Sequence, residues 1–207
     1  MLSNPRRHEI LPSPIQSKVW ACLATRFNVR KNVVQSVVKL DQPIIQYGRV
    51  TRLEGGDLMV GRDLVKESED SRDASFVQVE SPCVGFAQAI SEHSFLQYTQ
   101  LVDRYACQRN MVPVFEVKHF FGQLKRILVL ELPSAPQLNL ATPTTVILAV
   151  IRNAKATLTN ETYYYKELGV EEVVDLTTVQ CVVGRIEHRG EWAIVDRSNM
   201  AIQVQVD

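Results

Sequence analysis

Near residue 44 the apolar positions of this chain change period, from the three-and-four spacing of a helix to the alternation of strands. Ile15, Val19, Cys22, Leu23 and Phe27 recur at helical intervals while Lys18 and Arg26 point elsewhere, which predicts an amphipathic helix over residues 13–27. Ser13-Pro14-Ile15-Gln16 has the chemistry of a helix start: a serine cap, proline at the first helical position and glutamine three residues after the cap. Val33, Val34, Val37 and Val38 fit a short second helix over 32–40, although their branched side chains also suit a strand.

From residue 44 onward, β-branched and aromatic residues dominate. Strands are predicted over 44–53, 74–79, 114–118, 121–132, 145–152, 172–186, 192–196 and 201–206. Gly55 and Gly56 permit the positive φ of a tight turn, and Glu187-His188-Arg189-Gly190 separates two apolar runs as a hairpin turn does. Pro133, Pro136 and Pro143 fall where a loop is expected, because proline cannot donate to a sheet ladder. The expected fold is mainly β: a small β-barrel or sandwich preceded by one or two N-terminal helices. The expected organisation is a helical segment over 1–43 and a β-rich domain over 44–207.

Composition adds bounds. With 207 residues and 45% apolar content, the chain can build a core without metals or disulfides. Its four cysteines form no C-x-x-C pair, and no signal-like apolar run follows Arg6-Arg7, which points to an intracellular protein. No apolar stretch approaches the roughly 20 residues of a membrane helix, so no membrane partner is expected. Zero formal net charge removes any whole-protein argument for binding nucleic acid. Locally, residues 1–52 carry nine basic side chains against Glu9 and Asp41, whereas 53–80 carry three against eight acids. The two blocks can simply neutralise each other on a folded surface. Alternatively Arg26, Arg30, Lys31, Arg49 and Arg52 contact phosphates while Tyr47 stacks on a base.

No complete catalytic or metal site is legible, and no cofactor is implied. Gly55-Gly56-Asp57 lacks the lysine and following helix of a phosphate loop, and reads as a turn. His8, His93, His119 and His188 are isolated along the chain, unlike the paired ligands of zinc. Cys181 sits among valines, where burial raises a thiol's pKa instead of activating it. Asp175 and Asp196, at the ends of apolar runs, are placed as the carboxylates of a two-metal nuclease would be. A strand-end aspartate also accepts from backbone N–H groups in a turn, which is the commoner role.

The strings Gln46-Tyr47-Gly48-Arg49-Val50, Leu53-Glu54-Gly55-Gly56-Asp57, His119-Phe120-Phe121-Gly122-Gln123-Leu124 and the run over 173–198 occur in order along the chain. Together they resemble the C-terminal region of proteins encoded by DNA transposons of mushroom-forming fungi, of the Plavaka or CACTA-like type. The resemblance spans residues 11 to 198 and implies that the catalytic domain lies upstream, so no catalytic residue carries over. It departs at residues 79–100, which read as an inserted loop, either genuine or an intron carried into the reading frame. The expected function is a non-catalytic, β-rich accessory module, nuclear before cytoplasmic, with DNA, chromatin or another protein as partner. The alternatives are a metal-dependent nuclease remnant using Asp175 and Asp196, or a protein-interaction domain without nucleic-acid contact.

Overall fold

In a computed structural model the protein is described over residues 2–51, 58–64, 95–105, 112 and 114–195. The described elements run β1 (Leu2–Glu9), α1 (Ser13–Phe27), α2 (Lys31–Val37), β2 (Ile44–Thr51), β3 (Leu58–Val60), β4 (Phe95–Asp103), β5 (Phe115–Leu132), β6 (Thr144–Ala154), β7 (Thr157–Thr159), β8 (Thr162–Tyr165), β9 (Leu168–Asp175), β10 (Val179–His188) and β11 (Glu191–Val195). Mainly β architecture with two helices is therefore the fold, as the alternation predicts. Every ladder is antiparallel, and the strands form one sheet in the order β1-β2-β5-β4-β10-β11-β8-β7, with β3 on β2 and β9 on β6, itself paired to β5. The sheet rolls into a sandwich-like body and does not close into a barrel.

Strand β5 organises the roll. Its 18 residues pair with β4 along Phe115–Gln123 and with β2 along Ile127–Val129, both on one edge, while β6 takes the other edge from Phe121 onward. Between Leu124 and Arg126 the β6 register slips, leaving Lys125 as the extra residue of a bulge. One inserted residue reverses which side chains face which side. Leu128, Leu130 and Leu132 accordingly meet the helices, whereas Leu124 and Ile127 both join the core on the opposite face. The bulge also receives the chain after β3: Arg62 N–H donates to Leu124 O at 3.1 Å and Asp63 N–H to Lys125 O at 3.0 Å. Gly61 is required there, since a Cβ would stand 2.6 Å from Lys125 O.

Helix α1 covers one face. Ile15, Val19 and Leu23 are buried together with Val146, Leu148 and Val150 of β6 and Val173 of β9. Each such side chain contributes about 1.5–3 kcal/mol of burial free energy as an upper bound. Lys18 Nζ donates to Glu171 O of β9, whose other edge has no ladder partner among the described residues, so the helix also blunts a strand edge. The helix starts as its periodicity predicts, but Pro12 is the cap and Ser13 makes no capping bond. Gln16 Nε2 instead donates to Leu11 O at 2.8 Å and Leu40 O at 3.1 Å, tying the helix start to the segment entering β2.

The second core lies inside the roll, with Leu96, Tyr98, Leu124, Ile127, Ala149, Ile151, Val174 and Val179. Tyr98 of β4 is fully buried, and its hydroxyl donates to Glu172 Oε2 of β9 at 3.1 Å, although β5 and β6 separate those strands in the sheet. A third core of Phe121, Ala154, Tyr165, Val183 and Ile194 fills the end where β8 folds back.

Several expectations need correction. The segment read as helical over 1–43 opens with β1, paired to β2. The segments predicted as separate strands over 114–118 and 121–132 are one strand, and the run over 172–186 is broken by a 3-10 turn at Leu176–Thr178. The hairpin β7–β8 was not predicted. In the stretch read as an inserted loop over 79–100, residues 95–100 are part of β4, between β5 and β10; 79–94 lie outside the described residues. So do the turn at Gly55-Gly56 and the segments predicted as strands over 74–79 and 201–206. Among the described residues no helix is long and apolar enough to cross a membrane.

Candidate functional site

The basic residues singled out in the sequence are distributed over two faces. Arg26, in the last turn of α1, ion-pairs with Asp175 Oδ2. Arg30 precedes α2 and is exposed; Lys31 begins that helix, and its Nζ donates to Ser17 Oγ at 2.7 Å. These three belong to the helical layer. Tyr47 and Arg49 share a face of β2, and Tyr47 pairs with Ile127 and packs on the core inside the roll, on the sheet face away from the helices. Arg52 lies outside the described residues.

Asp175 caps a turn. Its Oδ1 accepts from Thr177 N–H at 3.0 Å and Thr177 Oγ1 at 2.7 Å, and Oδ2 takes Arg26. Both carboxylate oxygens are thus engaged at the β9 to β10 corner. Asp196 lies outside the described residues. Among the described residues, no three His, Cys, Asp or Glu side chains converge as a metal-binding group. Cys181 is half-buried between strands, with its Sγ 4.0 Å from Gln97 Oε1. Burial pushes the Cys22 thiol up to about 11, against a smaller lowering by the Arg26 guanidinium.

A different arrangement emerges where β6 ends. Strand β6 leaves β5 at the Phe121–Ala154 pair, yet β5 extends six residues further back, to Phe115. Along Phe115–Phe120, β4 occupies one edge of β5, and the other has no ladder partner among the described residues. The chain after β6 turns sharply, Ala156 N–H donating to Ala154 O at 2.8 Å, and starts β7. That departure opens a groove of about 370 Å³. Strand β5 supplies Lys118, His119, Phe120 and Phe121; Asn153, Ala154, Lys155 and Ala156 form a second wall; Tyr163 of β8 forms a third.

The groove's charge and its rigidity come from different residues. Lys118 and Lys155 are exposed, and neither has an ion-pair or hydrogen-bond partner among the described residues. His119 is exposed, with Gln97 Nε2 lying 3.1 Å from its Nδ1. The aromatic rings pack on opposite faces of β5. Phe120 stacks on Tyr98 at 5.7 Å and 26°, and Tyr163 leans on Phe121 at 4.8 Å and 52°. Asn153 Nδ2 donates to Glu172 Oε1 at 2.9 Å, joining the groove wall to the carboxylate that accepts from the buried Tyr98. The result is a concave site at the edge of β5 lined by two exposed cations and by rings from both faces of the strand.

Sequence reasoning missed this site. Lys118-His119-Phe120-Phe121 is a basic and aromatic string across the junction of two predicted strands, which is a visible signal. Lys155 and Tyr163 reach it only through the sharp turn after β6 and the unpredicted β7–β8 hairpin. No protein-family model matches the chain, and no curated protein or solved structure matches it either.

Proposed function

We propose that the chain is a non-catalytic, β-rich binding module that contacts nucleic acid, and that the groove between β5, β6 and β8 is where it does so. The observation that carries this reading is the groove's lining, where the exposed lysines Lys118 and Lys155 occur together with the rings of Phe120, Phe121 and Tyr163. Cations that neutralise phosphates supply affinity, and aromatic rings add sequence-tolerant stacking. The resemblance of the chain's strings to transposon-encoded proteins of mushroom-forming fungi supports the same reading and suggests an accessory role beside a separate catalytic domain, in the nucleus. The nuclease alternative has less behind it, because Asp175 spends both oxygens on Arg26 and Thr177.

The test is binding of fluorescent DNA, single-stranded and duplex, across a salt series. Affinity should fall steeply as salt rises. The double variant Lys118→Ala/Lys155→Ala should bind more weakly at every salt and show a shallower slope, by about 0.7 to 0.9 for each phosphate no longer neutralised. Absence of binding to either form at low salt would remove the nucleic-acid reading and leave a protein-interaction module.

A further inference from the structure

Resting on the nucleic-acid reading, we infer that the ligand of this groove is single-stranded, with an unpaired base held against Tyr163 and its phosphates between Lys118 and Lys155. The shape argues for it. The site is concave and measures about 370 Å³, near the lower end of the range for small-molecule sites, so it accepts one planar group that projects into it. A duplex presents only base edges recessed in its own grooves, and reading them takes a protruding helix or β-ribbon. A hollow on the protein meets nothing of that kind on a duplex. An unstacked base, by contrast, projects and offers its whole face.

The chemistry of the walls agrees. Tyr163 is a partly exposed ring set on Phe121, so stacking costs little reorganisation. Along Phe115–Phe120 the edge of β5 without a ladder partner among the described residues carries backbone donors and acceptors. Such groups bond any base edge without strong preference. The two lysines sit on separate walls, one on β5 and one after β6, which brackets a phosphate backbone crossing between them.

Fluorescence anisotropy with labelled dT12, rU12 and a twelve-base-pair hairpin, at one low salt concentration, tests this directly. At least one single strand should bind tenfold or more tightly than the hairpin. Tyr163→Leu keeps an apolar contact to Phe121 but removes the stacking face, and should weaken single-strand binding about fivefold or more while leaving hairpin binding unchanged. An unchanged thermal midpoint for that variant separates a missing stacking face from a damaged fold; if the midpoint drops, Tyr163→Phe, which restores the ring, should restore binding. Equal affinity for single strand and hairpin, or full single-strand affinity in a folded Tyr163→Leu, would overturn the inference and leave general nucleic-acid contact standing. Binding of neither form would instead sink the parent reading.

Discussion

Replacing Tyr98 by Phe deletes one oxygen from the inside of the roll and nothing else. The ring is fully buried and stacks on Phe120 with centroids 5.7 Å apart, contacts that phenylalanine retains. What disappears is the donor 3.1 Å from Glu172 Oε2, leaving that carboxylate with Asn153 Nδ2 alone among the donors described. A hydrogen bond to a charged partner contributes about 1.5–3 kcal/mol, so Tyr98→Phe should destabilise by about 2 kcal/mol near pH 8. The pH dependence supplies a second check. Burial first, then the Glu172 charge and its hydrogen bond, push the Tyr98 phenol far above its ordinary value. Because the folded pKa is raised, this contribution is fully present below about pH 10 and is lost as pH rises toward the folded value. Above pH 10 the unfolded phenol ionises and the folded one does not, which costs the wild type about 1.4 kcal/mol by pH 11. The variant has no such group. Urea unfolding at pH 8 and pH 11 should therefore show a gap between the two proteins that narrows by about 1.4 kcal/mol at the higher pH. Equal stability at pH 8, or a gap unchanged at pH 11, would mean that the phenol does not bridge β4 and β9.

Two substitutions probe the backbone of the fold. Gly61→Ala places a Cβ 2.6 Å from Lys125 O, so the chain after β3 must move off the bulge, at a cost of about 1–3 kcal/mol in chemical denaturation. Glu161→Gly relieves a φ of +64° in the β7–β8 turn, and should raise stability by about 1 kcal/mol, read as a higher urea midpoint with unchanged slope.

How legible the fold was depended on whether side chains or backbone made the contact. Helix α1 was plain because Ile15, Val19 and Leu23 repeat at the spacing that packs on a sheet. Its start lacks the Ser13 cap that the local sequence suggests, because Gln16 reaches carbonyls 5 and 24 residues away, and nothing local announces Leu40. Strand β1 has no apolar alternation and is held by pairing to β2, a backbone property that composition does not display. The turn at Arg189-Gly190, with φ of +53° and +80°, carries the expected glycine. Asn160-Glu161 adopts the same left-handed pair at +47° and +64° without one, so the β7–β8 hairpin went unread. The candidate site was hidden for the same reason, since two of its walls depend on that hairpin and on where β6 stops.

Lys118 has a second explanation, and the two can be separated. A lysine on an open strand edge discourages edge-to-edge association, and the edge of β5 along Phe115–Phe120 spans roughly 20 Å at about 3.4 Å per residue. Edge protection needs a charge on the strand itself. Lys155 is not on that strand: it sits in the turn after β6 and contributes nothing to the edge of β5. The proposed phosphate path, by contrast, would draw on both walls. Lys155→Ala alone should therefore weaken nucleic-acid binding about as much as Lys118→Ala alone, while only Lys118→Ala should promote self-association in sedimentation velocity. If Lys155→Ala leaves binding untouched, the charge on β5 is a guard on a strand edge, and the groove loses the electrostatic half of its case.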